Sequence, residues 1–146
     1  MRLADEPKPI PKPHEALIRV RSTGVCGSDM HYFTEGRIGK TIITEPLVLG
    51  HEYAGLVEAV GPEADQSLVG KRVAVEPGIP CGVCEFCRAG HYNVCRNLSF
   101  PGGPPNDGAL CEYICVHAGF CFPIPDDMPF DEAALIEPLA VAVHAV

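Results

Sequence analysis

The polypeptide has 146 residues, 47% of them apolar and 21% charged, enough for one domain with its own core. Its formal net charge of −8 argues against nucleic acid as a partner, because phosphate binding needs a basic face. No run of about 18 apolar residues occurs, so no membrane span is expected, and the opening MRLADEPKPIPKP has no apolar stretch of a secretory signal.

In chain order, Pro7, Pro9, Pro11 and Pro13 predict an extended lead-in. His14–Arg21 reads as a strand and Gly24–Asp29 as a glycine-flanked turn. Asp29–Glu35 reads as a short helix ended near Gly36. A brief apolar run, Leu47–Leu49, leads into Gly50-His51-Glu52. Tyr53–Val60 is a predicted strand stopped by Gly61-Pro62, and Lys71–Glu76 another, stopped by Pro77-Gly78. A cysteine loop fills 81–95 and an irregular loop 101–108, followed by predicted strands at Ala109–His117 and Phe120–Ile124. Short strands punctuated by turns, with glycine and proline at 15 each, predict a mainly β barrel or sandwich and not a parallel sheet.

The last segment differs. Asp131–Ile136 reads as a helical turn or two with Asp131 as N-cap. Pro138 would break a continuous helix and so opens a new one over Pro138–Val146, leaving Glu137 at the break. The final AVAVHAV has no C-cap, which predicts a longer chain cut within its pattern.

Cys81, Cys84, Cys87 and Cys95 are spaced C-x2-C-x2-C-x7-C among Pro77, Gly78, Pro80, Gly82 and Gly90. Four soft thiolates on a turn-rich loop suit a closed tetrahedral zinc site. A disulfide pair, an iron site and a zinc ribbon for nucleic acid are the rivals. The absence of a signal and of a basic face weighs against the first and last, and favours a reducing, cytoplasmic setting. Cys111, Cys115 and Cys121 read as small buried hydrophobes. Cys26, flanked by Gly24 and Gly27, together with His51, Glu52 and Glu137, offers one thiolate, one imidazole and one or two carboxylates. That is a donor set for a catalytic zinc with an open position. Their spacing is no motif. A packed thiol, a solvated His-Glu pair and a helix-capping Glu137 remain the plain alternatives.

Four stretches, GVCGSDMHYF (24–33), LGHEYAGLVEAVG (49–61), GKRVAVEPGIPCGVCEFCRAGHYNVC (70–95) and LIEPLAVAVHA (135–145), together resemble the zinc-dependent medium-chain dehydrogenases. The IEPLAV segment is similar to that of the polyol enzymes: sorbitol, xylitol and arabinitol dehydrogenases. The resemblance implies that residues 1–146 are a GroES-like catalytic domain, and that a Rossmann domain, whose G-x-G-x-x-G is not in this sequence, follows it. It implies a catalytic zinc held by Cys26, His51 and Glu52, with Glu137 touching the metal or holding its water. A structural zinc on Cys81, Cys84, Cys87 and Cys95 makes two per chain. Ser28 and His31 match a proton relay, and Tyr32 and Phe100 match substrate-pocket positions. The implied reaction is hydride transfer from a polyol or secondary alcohol to NAD or NADP, the cofactor being bound mainly by the other domain. The full-length protein is expected to be a cytoplasmic homo-oligomer, and this segment alone is expected to be nearly inactive. A GroES-like module whose zinc is purely structural, serving in assembly, and a sibling enzyme acting on threonine or formaldehyde are the competing readings.

Overall fold

The structure is a computed structural model that describes every residue from Met1 to Val146. Its main sheet has five antiparallel strands: β1 (Glu15–Thr23), β4 (Tyr53–Val60), β5 (Arg72–Val75), β6 (Tyr113–His117) and β7 (Cys121–Pro123), hydrogen-bonded in the order β6-β1-β4-β5-β7. A two-stranded ribbon, β2 (Arg37–Ile38) with β3 (Thr41–Ile42), follows helix α1 (Gly27–Glu35). The remaining helices are α2 (Glu85–Arg88), α3 (Phe130–Ala134) and α4 (Ile136–Ala145). None is long and apolar enough to cross a membrane.

The sheet is rolled, although its edges are not hydrogen-bonded to each other. Strands β6 and β7 are opposite edges, yet only the 3-10 turn Ala118–Phe120 joins them. Such a turn advances about 8 Å over its length, whereas a flat five-stranded sheet would separate its edges by about 19 Å. The sheet must therefore curl until its two edges approach each other at that turn. Two irregularities in the β1–β4 register, at Leu17/Ile18 and Val20/Ser22, supply extra bend.

Alternation decides which side chains fill the roll. Along β4, Tyr53 and Val57 point inward with Ile18, Val73, Val75 and Val116, while Ala54 faces outward and meets Ala133 and Ala134 of α3. Phe130 covers this outer layer, and the Arg72 guanidinium stacks 4.1 Å from its ring centre.

Several boundaries differ from those read in the sequence. The α1 helix starts at Gly27, because Cys26 occupies the N-cap. Predicted strand 109–117 is a strand only from Tyr113. The N–H groups of Ala109 and Leu110 donate to Gly50 and Leu49 instead, so this part pairs with the chain ahead of β4. Pro129, not Asp131, is the N-cap of α3, and the Asp131 carboxylate accepts a hydrogen bond of 2.6 Å from the Ser22 hydroxyl. The helix break falls at Leu135, and α4 begins at Ile136. Pro138 sits inside its first turn, where the missing N–H would have no helical partner anyway.

Candidate metal centres

The strand register brings the first group together. Thr23, at the end of β1, lies opposite Tyr53, at the start of β4, so the chain leaving β1 and the chain entering β4 meet at one end of the sheet. The Gly24 N–H donates to the Glu52 carbonyl at 2.6 Å just beyond that pair. Cys26 follows on one side and His51-Glu52 on the other, and one donor atom from each of Cys26, His51 and Glu52 lies within 4.8 Å of the others. His51 and Glu52 are buried and Cys26 is half-buried.

Asp29 organises this group, a role that no metal-ligand pattern in the sequence marks. It is 2% exposed. Its Oδ2 accepts from the Cys26 N–H at 2.9 Å, its Oδ1 accepts from the Gly50 N–H at 3.0 Å, and the same oxygen lies 3.8 Å from His51 Nδ1. A single carboxylate thus ties together the loop that carries Cys26 and the loop that carries His51 and Glu52. The signal was present as Cys26-x-x-Asp29, an acidic residue three after an N-cap, the spacing of a capping box. Gly24 matters by its size, since a Cβ there would collide with the Glu52 carboxylate. Gly50 has φ +93°, a left-handed conformation that glycine adopts without strain.

The other expected residues surround this group to different degrees. Glu137, the second residue of α4, is half-buried; burial raises its carboxyl above the ordinary range, and the neighbouring charges of His51 and Glu52 act on it in opposite senses. The Phe100 ring lies 5.0 Å from that of His51, tilted by 54°. The half-buried Tyr32 places its hydroxyl 3.9 Å from where a Gly103 Cβ would sit, against the loop that carries Phe100. Ser28 is half-buried on the first turn of α1. His31 is exposed, with Nδ1 3.1 Å from Glu35 Oε1.

The second group lies on the loop between β5 and β6. Sγ–Sγ separations are 3.4 Å for Cys84–Cys87, 3.9 Å for Cys84–Cys95 and 4.0 Å for Cys81–Cys87. These exceed a disulfide bond of about 2.05 Å and match the edge of a tetrahedron with metal–sulfur bonds of about 2.3 Å, which is about 3.8 Å. All eight cysteines are unbridged. The N–H groups of Cys87 and Arg96 pull the Cys84 thiol down to about 6, and those of Val83 and Cys84 lower Cys81. Desolvation and the adjacent thiols push Cys87 up to about 12. Four touching sulfurs cannot all ionise unless a cation lies between them, so the donor set fits a divalent metal. The mixed thiolate, imidazole and carboxylate set of Cys26, His51 and Glu52 fits one as well.

Residues 12–126 match the alcohol dehydrogenase GroES-like domain. The chain belongs to that family. This GroES-like domain is 53% identical over 131 residues to sorbitol dehydrogenase of Bacillus subtilis (strain 168), covering 90% of this chain and 37% of that protein. Among solved structures it is similar to galactitol-1-phosphate dehydrogenase from Escherichia coli, with a TM-score of 0.89 and 36% identity over 99% of this chain and 40% of that one. It is also similar to a short chain alcohol dehydrogenase from E. coli CFT073 complexed with cofactor NADH, with a TM-score of 0.83 and 36% identity over 92% of this chain and 38% of that one. The domain spans about two fifths of the length of the curated relatives it matches. The mainly β, GroES-like reading holds, with the difference that the rolled sheet is not closed by hydrogen bonds.

Proposed function

We propose that this domain forms the substrate-binding, metal-binding part of a zinc-dependent polyol dehydrogenase, which takes hydride from a secondary alcohol of a sugar alcohol and gives it to NAD or NADP. The observation that carries this reading is the convergence of Cys26, His51 and Glu52 within 4.8 Å; Glu137 is not one of that group, although its carboxyl feels the charges of His51 and Glu52. Three protein donors with an open position are the pattern of a catalytic zinc, and a closed set of four thiolates is that of a structural one, so two zinc ions per chain are proposed. Bound at the mixed site, zinc would supply Lewis acidity that lowers the pKa of a substrate hydroxyl.

The chain's own residues then have distinct tasks. Cys26, His51 and Glu52 hold the ion, and Asp29 holds Cys26 and the His51 loop in register. Glu137, whose carboxyl is destabilised in the charged form by burial, is proposed to exchange with Glu52 or to hold water there. Ser28 and His31 stand three residues apart on α1, the spacing of one helical face, and are proposed to pass the hydroxyl proton to solvent. Tyr32 and Phe100 are proposed to wall the polyol. A nucleotide-binding domain in the same polypeptide, homo-oligomeric assembly and a cytoplasmic location complete the proposal. The greater length of the relatives supports the first of these. The acidic balance of −8 weighs against nucleic acid as a partner.

Metal analysis and steady-state kinetics on the full-length protein test this. The expected result is two zinc ions per chain and NAD(P)-dependent oxidation of sorbitol or xylitol. Cys26→Ala should remove both the turnover and one zinc. One zinc per chain in the unsubstituted protein, unchanged by Cys26→Ala, would favour the assembly-module reading instead.

A further inference from the structure

A short stretch of chain connects the two candidate metal centres. Ser99 and Ile79 form a two-way bridge, each N–H donating to the other's carbonyl at 2.9 Å. Ile79 lies just before Cys81 and Ser99 just after Cys95, so the bridge closes the neck of the four-thiol loop. The next residue, Phe100, sets its ring 5.0 Å from His51. Beyond it, the chain is latched onto the run that delivers His51. The N–H groups of Gly108, Ala109 and Leu110 donate to Val48, Gly50 and Leu49 at 2.7, 2.8 and 2.9 Å, and the Asp107 carboxylate accepts from the Val48 N–H at 2.8 Å. A Cβ on Gly102 would come within 2.9 Å of the Gly50 carbonyl oxygen, so loop and run touch without slack.

The loop has no core of its own. No residue from Cys81 to Cys95 is buried, and Val83 and Val94 are exposed. With only Phe86 half-buried among its apolar side chains, its shape depends on what ties the thiols together.

We infer that a metal on Cys81, Cys84, Cys87 and Cys95 seats Phe100 against His51, so that filling the four-thiol loop tightens metal binding at Cys26, His51 and Glu52. Phe100 is in this sense a positioning residue. The inference rests on the reading of both clusters as metal centres proposed above. When the neck is held, the Phe100 ring bounds one side of the imidazole while Asp29 faces its Nδ1. A ligand already held in place loses less freedom on binding than one that must first be ordered. When the loop is slack, that wall is lost and His51 keeps only Asp29.

Cobalt(II) titration of the metal-free full-length protein, followed by visible absorption, separates the sites, because four thiolates and a mixed sulfur–nitrogen–oxygen set give different bands. The doubly substituted Cys84→Ser/Cys87→Ser protein should bind cobalt at the mixed site about tenfold more weakly or worse, the usual cost of losing a group that orients a ligand. Phe100→Ala should do the same with the four-thiol band unchanged, and Phe100→Tyr should restore affinity. Combining the loop and Phe100→Ala changes should add no further loss. Losses that multiply, or a mixed site indifferent to both changes, would overturn the coupling. If circular dichroism shows the loop variant unfolded, equal mixed-site affinity in Phe100→Ala and Phe100→Tyr would overturn it equally. Cobalt stoichiometry unchanged by Cys26→Ala would remove the metal-centre reading and the coupling with it, whereas normal stoichiometry with multiplying losses removes the coupling alone.

Discussion

Asp29 and Gly50 are joined by a buried hydrogen bond, Oδ1 of the carboxylate accepting the Gly50 amide at 3.0 Å. The partners are 21 residues apart, and each stands next to a proposed metal ligand or its helix. The bond makes one rigid unit from two loops that leave the sheet at the same end.

Replacing Asp29 should therefore damage both stability and metal binding. Asp29→Ala strands the buried Gly50 N–H, at about 1–3 kcal/mol, and at a smaller cost the half-buried Cys26 N–H, and it loosens the His51 loop, which should weaken zinc by about 10- to 100-fold. Asp29→Asn keeps one acceptor oxygen and should fall between. Urea unfolding and zinc competition titration check this. Unchanged zinc affinity in Asp29→Ala would separate the carboxylate from the site.

Gly24→Ala isolates the Glu52 carboxylate. The added methyl collides with that carboxylate and lies 3.1 Å from the Glu52 Cβ, while the backbone at Gly24 needs no special angle. The fold should tolerate the change with a cost of about 1–3 kcal/mol, as for mild overpacking. The mixed site should lose metal while the four-thiol loop keeps it. Zinc counting after dialysis tests the difference, and retention of both ions would mean that Glu52 is free to swing aside.

Removing metal should unfold the loop before the barrel. The segment 81–95 has only half-buried and exposed residues, whereas Ile18, Tyr53, Val57 and Val73 fill the roll at 2% exposure or less. A strong chelator should raise amide hydrogen exchange throughout 81–99 while β1 and β4 stay protected. Uniform loss of protection would show that the barrel, too, depends on the metal.

Alkali should destabilise the fold through its buried thiols. Burial pushes Cys121 up to about 12 and Cys115 up to about 11, and raises the Tyr53 phenol. An unfolded cysteine titrates near ~8.5. Between that value and 12 the folded state keeps a proton on Cys121 that the unfolded chain releases. This contribution to stability is whole below about pH 8.5 and declines as pH rises, by up to about 1.4 kcal/mol per pH unit for Cys121. Urea unfolding from pH 7.5 to 11 should show the decline, and Cys121→Ala should flatten it. Parallel curves for the two proteins would show that Cys121 is not responsible.

The proposed proton relay predicts a smaller kinetic effect than the proposed metal ligands do. Ser28→Ala should lower turnover at neutral pH more than His31→Ala. The His31 ring lies outside with Glu35, where water can replace it. A pH–rate profile of the full-length protein decides this: an unchanged acidic limb in both variants would exclude the pair from proton transfer.

The order of residues already displayed the local chemistry. The C-x2-C-x2-C-x7-C loop, the alternation of Tyr53–Val60 and the turns at Gly61-Pro62 and Pro77-Gly78 are short-range patterns, set by side-chain type and backbone allowance within a few residues. Pairings across the chain were not displayed there. That Ala109–Leu110 pairs with Leu49–Gly50, that Asp131 serves Ser22 and not its own helix, and that Asp29 binds two loops follow from where a curled sheet places its ends. Periodicity tells which face a residue occupies. It does not tell how far a strand's end lies from a loop some 50 residues away, because that distance depends on register and curl, which arise only when the strands pack.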